Sequence, residues 1–131
     1  MLEKIFGGGR DYSLFVLRVF VGVVFTAHGW LKLSNLQGFA GFLEQAAGVP
    51  FPGVMAPVVA AIEFFGGLAL VLGTSTRLAA LVLTGVMVVA MITVTLGTGF
   101  ASGYDLNLAL LGGLLALLLA GPGKPAVGGD L

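Results

Sequence analysis

The sequence predicts an all-α membrane protein: a transmembrane four-helix bundle with a short amphipathic interfacial helix between spans 1 and 2. Three observations carry this expectation. Of 131 residues, 58% are hydrophobic and only 9% charged, a balance outside that of soluble globular domains. Four apolar runs each approach the roughly 20 residues that a helix needs to cross a hydrocarbon core. The long connection between the first two runs has helical periodicity but is too short to span.

The first span is expected over residues 14–31. The preceding MLEKIFGGGRDYS has basic residues, as a signal peptide would, but the run that follows contains Arg18 and His28 and lacks a small-x-small cleavage site. An uncleaved first helix is therefore expected. In the connection, LQGFAGFLEQAA sets Leu36, Phe39, Ala40, Leu43 and Ala47 on one helical stripe, with Gln37, Glu44 and Gln45 on other faces. Such a helix lies in the interface or caps the bundle mouth. GVPFPG ends it, because two prolines with flanking glycines cannot continue a helix.

The second span is expected over residues 54–72, the third over 78–96 after the polar turn GTSTR, and the fourth over 102–120 after GTGFASGYD. The whole chain, 1–131, reads as one domain. FFGGLALVLG in the second span faintly echoes LLGGLLALLLAG in the fourth. The intramembrane glycines Gly22, Gly66, Gly67, Gly85, Gly112 and Gly113 are expected where helices approach closely. Thr84, Thr93 and Thr95 are expected to bond back to their own helix, and Trp30 to anchor at the interface.

Six basic residues balance six acidic ones, and no basic stripe carries interleaved aromatics, which argues against nucleic acid as a partner. The absence of cysteine removes disulfide, thiol redox and iron-sulfur chemistry. With a single histidine, a protein-only zinc site of the usual kind is not expected either. Lys4, Arg10, Arg77 and Lys124 fall on one side of the four spans and Lys32 on the other. The positive-inside rule then places both termini in the cytoplasm. His28, Lys32, Tyr104 and Asp105 come out toward the outer face.

A charged residue at membrane depth costs about 2.5–3.5 kcal/mol on insertion scales and so faces the bundle interior with a partner. Glu63 sits near the centre of the second span. Arg18 and His28 lie on the first span about 7 Å to either side of the midplane, at 1.5 Å rise per residue. The expected arrangement is an intramembrane cluster of Arg18, His28 and Glu63, with a bidentate pair between guanidinium and carboxylate. Lys32, Tyr104, Asp105 and Asn107 form its outer rim, Lys32 snorkelling outward. Asp105 is also a candidate helix N-cap. Two readings of the cluster stand at this point: a lining for a ligand, quinone or proton site, and an ion pair that holds helix register.

With these residues assembled, the chain resembles the DoxX family of small four-helix bacterial membrane proteins. The matching pieces are LRVFVGVVFTAHGWLKL, with Arg18, Gly22, His28, Gly29 and Lys32; FAGFLEQAAGVPFP; and IEFFGGLALVLGTSTR, with Glu63 and Arg77. GYDLNLALL and the closing GPGK complete the order. Asp105 stands where relatives usually carry glutamate, and the tail PAVGGDL lacks the serine and nearby aspartate that commonly follow the basic residue.

The resemblance implies a multi-pass protein of the bacterial cytoplasmic, or inner, membrane. Family members serve as membrane components of redox and sulfur-metabolism assemblies. The expected role is thus a membrane subunit of such an assembly, an accessory to a quinone-linked oxidoreductase rather than a catalyst alone. Quinone is the candidate cofactor, with nothing bound covalently. Lipid and partner subunits, or further copies of the chain, are the expected partners. A scaffolding subunit without its own site is the alternative, and a small-solute carrier the third reading.

Overall fold

The computed structural model describes residues 1–7 and 9–128; Gly8 and the last three residues of the tail lie outside the described residues. Its elements, in chain order, are α1 (Leu2–Phe6), α2 (Arg10–Leu33), α3 (Leu36–Gln45), α4 (Pro52–Leu72), α5 (Thr76–Thr93) and α6 (Asp105–Ala120). Among the described residues there is no strand. Four helical stretches, Arg10–Leu33, Pro52–Leu72, Thr76–Thr93 and Phe100–Ala120, are long and apolar enough to cross a membrane. The chain is an all-α membrane bundle.

Local sequence sets each boundary. The side chain of Asn35 accepts from the Gly38 N–H at 3.1 Å and so starts α3 immediately after α2 ends, as an N-cap does. Pro52 opens α4, where its missing N–H costs nothing. Gly73, at φ 76°, closes α4 in the left-handed conformation that glycine adopts freely. The third span is shorter than expected: α5 stops at Thr93, and residues Thr95–Thr98 form a tight 3-10 turn. Regular helix in the fourth span starts at Asp105, because Ser102 takes a left-handed φ of 57° and kinks the preceding turn.

Asp105 is the first residue of α6 rather than the residue that caps it. Its carboxylate accepts from the Ser102 and Leu106 N–H groups, at 3.3 and 2.8 Å. Thr84 and Thr93 donate to the carbonyls of Ala80 and Val89, the expected back-bond to the preceding turn. Thr95 falls beyond the helix, and its hydroxyl has no partner among the described residues.

The bundle is two antiparallel hairpins, α2 with α4 and α5 with α6, with α3 lying against α4. Small residues let α2 and α4 approach to backbone contact. A Cβ added at Gly67 would lie 2.5 Å from the Thr26 backbone nitrogen, and one at Gly22 would lie 2.7 Å from the Gly67 carbonyl oxygen. At Gly29 an added Cβ would overlap the Phe64 backbone. The close-approach reading also holds at Gly66, against Leu83, and at Gly113, against Val21, but not at Gly85 or Gly112, where a Cβ would meet nothing within 4 Å.

This contrast makes a testable pair. Gly67→Leu is expected to cost about 1–3 kcal/mol by overpacking and to reduce the monodisperse fraction in detergent, while Gly85→Ala, with open space inside a helix, keeps or slightly raises the unfolding midpoint. Equal behaviour of the two variants would remove the packing argument.

Fully buried side chains concentrate toward the end of the bundle that holds the termini. Leu70, Leu83, Leu114 and Leu117 interlock there, with Phe25 nearer the middle. A buried leucine or phenylalanine contributes roughly 1.5–3 kcal/mol, so the termini end is the rigid one. The opposite half is not filled.

Candidate functional site

In that unfilled half lies a cavity of about 580 Å³, within the range of small-molecule sites. Its walls come from five helices: Phe25 on α2, Phe39 on α3, Ile62 on α4, Val86 on α5 and Leu110 on α6 are typical. The polar groups in its lining include His28, Lys32, Glu63 and Asn107.

Glu63 is 4% exposed, and its Oε2 accepts from the Lys32 Nζ at 2.5 Å. The same ammonium stands 5.0 Å from the centroid of the Phe39 ring, so α3 contributes a π face to it. A carboxylate at this depth is too costly to leave unpaired, and a charge-assisted hydrogen bond is what compensates it. His28, one turn before Lys32 on the same face, has no hydrogen-bond partner among the described residues. Asn107, in the first turn of α6, directs its amide nitrogen to the Met87 sulfur at 2.9 Å. A thioether is a weak acceptor, so the amide retains capacity for a better one.

Arg18 does not join this cluster, and the expected pair with Glu63 is not formed. Its guanidinium is completely buried at the other end of the bundle and donates to four backbone carbonyls. Two are in the last turn of α4, Leu70 at 2.9 Å and Val71 at 3.0 Å. Two are in the tail, Pro122 at 3.1 Å and Pro125. The Phe15 ring packs 5.2 Å away. Gly73 makes room, since a Cβ there would run into the guanidinium.

One geometric rule explains both outcomes. Side chains on an α-helix lean toward its N-terminus, so on α2 Arg18 leans away from Glu63 and Lys32 leans toward it. Lys32 thus turns into the bundle instead of snorkelling outward. That rule gives the direction of each lean; which groups wait there is set by the packing of α4 and the tail.

The rest of the expected rim divides. Asn107 lines the cavity. Tyr104 packs edge-on to Phe100 with centroids 5.3 Å apart, and Asp105 orders the turn before α6, so both shape the loop and neither lines the cavity. Trp30 is exposed, at the end of the bundle expected for an interface anchor, and contacts the Phe64 ring at 6.1 Å. Among the described residues no group of three or more His, Asp or Glu side chains is placed to hold a metal ion.

Sequence comparison supplies the remaining evidence. The inner membrane protein YqjF of Escherichia coli (strain K12) is 35% identical over 124 residues, covering 90% of this chain and 91% of that protein. The "Putative oxidoreductase CatD" of Bacillus subtilis (strain 168) is 34% identical over 111 residues, covering 85% and 81%. No solved structure matches significantly. The family model for DoxX matches residues 13–96, a range containing Arg18, His28, Lys32 and Glu63, and the chain therefore belongs to the DoxX family.

Proposed function

We propose that this protein is a multi-pass inner-membrane component of a redox assembly, and that its cavity receives the head group of a membrane quinone. The observation that carries the reading is the Lys32–Glu63 ion pair set in an otherwise apolar cavity. Apolar walls with a few convergent polar groups are the usual make-up of a ligand site, and intramembrane ionisable residues mark functional sites by default. The name of the CatD relative points in the same direction.

A quinone presents two carbonyl oxygens, and the cavity offers donors for them in Lys32, His28 and Asn107. Reduction to quinol takes up two electrons and two protons. The electrons come from a partner redox subunit, since the chain has no cysteine and its residues carry none of their own. Protons pass through ionisable groups, and His28 and Glu63 are placed to hold them. Both termini lie in the cytoplasm in this reading, by the distribution of Lys and Arg.

Titration of the purified protein in mild detergent with a short-tailed ubiquinone analogue tests it. Saturable binding is expected, together with quinone in the solvent extract of the native preparation. His28→Phe keeps an aromatic ring but removes both nitrogens and should weaken binding about tenfold, equivalent to 1.4 kcal/mol. Absence of saturable binding by folded protein would sink the quinone reading.

A further inference from the structure

Part of the cavity lining reaches the outer surface of the bundle between α4 and α5. From the turn at Thr74 and Ser75, α4 and α5 run side by side and touch where a Cβ added to Gly66 would lie 3.2 Å from Leu83. Around and beyond that contact, residues of both helices line the cavity. Val58 on α4, and Val82 and Val89 on α5, line the cavity while remaining 44%, 40% and 56% exposed. Gly85 lines it between the two α5 valines, with open space where a side chain would be. These four residues carry no polar side-chain atom, and they sit within helices long and apolar enough to span a membrane. The wall facing them, from α2 and α6, holds Lys32 and Asn107.

We propose that the gap between α4 and α5 is a lateral entrance from the bilayer. It admits a membrane-dissolved amphiphile whose hydrogen-bond-accepting head reaches Lys32 and whose hydrocarbon tail lies along Val58, Val82, Gly85 and Val89. The polarity gradient fits that occupant: Val58, Val82, Gly85 and Val89 offer only apolar surface, while the donors Lys32 and Asn107, and the Thr93 and Thr95 hydroxyls at and just past the far end of α5, lie elsewhere in the lining. A water-soluble ligand would have to cross hydrocarbon to use this route, at a cost that an acyl or isoprenoid tail does not meet. The inference rests on reading the cavity as a ligand site, but not on the ligand being a quinone.

Because the chain has no cysteine, Val86→Cys places a single thiol on the cavity wall. In phospholipid vesicles this thiol should react with N-cyclohexylmaleimide about tenfold faster than with a sulfonated, membrane-impermeant maleimide, each rate normalised to Ser13→Cys at the exposed start of α2. Adding Gly85→Phe, which fills the gap from the lipid side, should slow the lipid-soluble reagent several-fold. Circular dichroism and gel filtration of the double variant establish that it is folded.

Equal labelling by the sulfonated reagent would show an opening to water and overturn the proposal. So would no labelling by either reagent, or no slowing by Gly85→Phe in folded protein; a double variant that does not fold is replaced by Gly85→Leu with the same expectation. The labelling needs no ligand, so its outcome is separate from that of the quinone titration.

Discussion

Arg18→Met is expected to cost about 3 kcal/mol or more, since hydrogen bonds to a charged group contribute roughly 1.5–3 kcal/mol each and buried acceptors left without donors are penalised further. Four carbonyls would lose their donor at once. Leu70 and Val71 belong to the last turn of α4, whose final carbonyls have no partner within the helix. A cation there also meets the negative end of the helix dipole. Arg18, although it belongs to α2, therefore acts as the C-terminal cap of α4.

The two other carbonyls tie the tail. Residues 122–128 fold back under the bundle, with the Val127 and Gly128 N–H groups donating to Leu72 and Gly73 at 3.0 Å. Loss of the guanidinium should free this strap, so that a protease of broad specificity trims the tail of Arg18→Met under conditions that spare the parent chain. Arg18→Lys is expected to recover only part of the loss, because a single ammonium with three donors cannot span four carbonyls. An unchanged melting transition together with an uncut tail in Arg18→Met would remove the clasp from this account.

The second large effect is expected at Lys32 and Glu63. Glu63 is buried and the Lys32 side chain 27% exposed, so removing the lysine strands a buried carboxylate at a cost toward the low end of the roughly 3–5 kcal/mol of a fully buried pair. Lys32→Met should therefore destabilise strongly, since it leaves the 4%-exposed Glu63 carboxylate without its 2.5 Å partner. Combining Lys32→Met with Glu63→Leu removes both charges and should restore most of the stability, as apolar replacement of buried pairs commonly does.

The double variant thereby separates structure from binding. If the pair serves the ligand, the double variant melts near the parent yet no longer binds the quinone analogue. Retained binding by the double variant would reduce the pair to a device for helix register. Thermal unfolding and ligand titration on the same preparations give both numbers.

Much of this protein can be read from composition and periodicity. The four spans, the interfacial helix, and the breaks at Pro52 and Gly73 all follow from apolar run length, 3.6-residue periodicity and turn chemistry, which act locally. Errors in the spans are confined to their ends, while the short α1, Leu2–Phe6, was not expected. The third span ends at Thr93 and not at residue 96, because the chain turns through Thr95–Thr98; a threonine and glycine turn of that kind has little hydropathy signature. The candidate site was half legible. His28, Lys32, Glu63 and Asn107 stood out as polar residues in apolar surroundings, and they share one cavity. Glycine as a sign of close packing was right at Gly22 and Gly67 but not at Gly85, where the same residue type marks empty space.

By itself, then, the sequence determined that the chain crosses the membrane four times and which few polar residues must find partners inside it, because hydrocarbon tolerates neither unpaired charge nor open backbone. Only the tertiary structure decided which partners they find. Arg18 and Lys32 stand 14 positions apart on one helix, and both are cations. The lean of their side chains and the packing of α4 and the tail around them send Arg18 to backbone carbonyls and Lys32 to Glu63. The cavity is likewise a tertiary property, since it exists where helices part, and no local run of residues encodes the space between two of them.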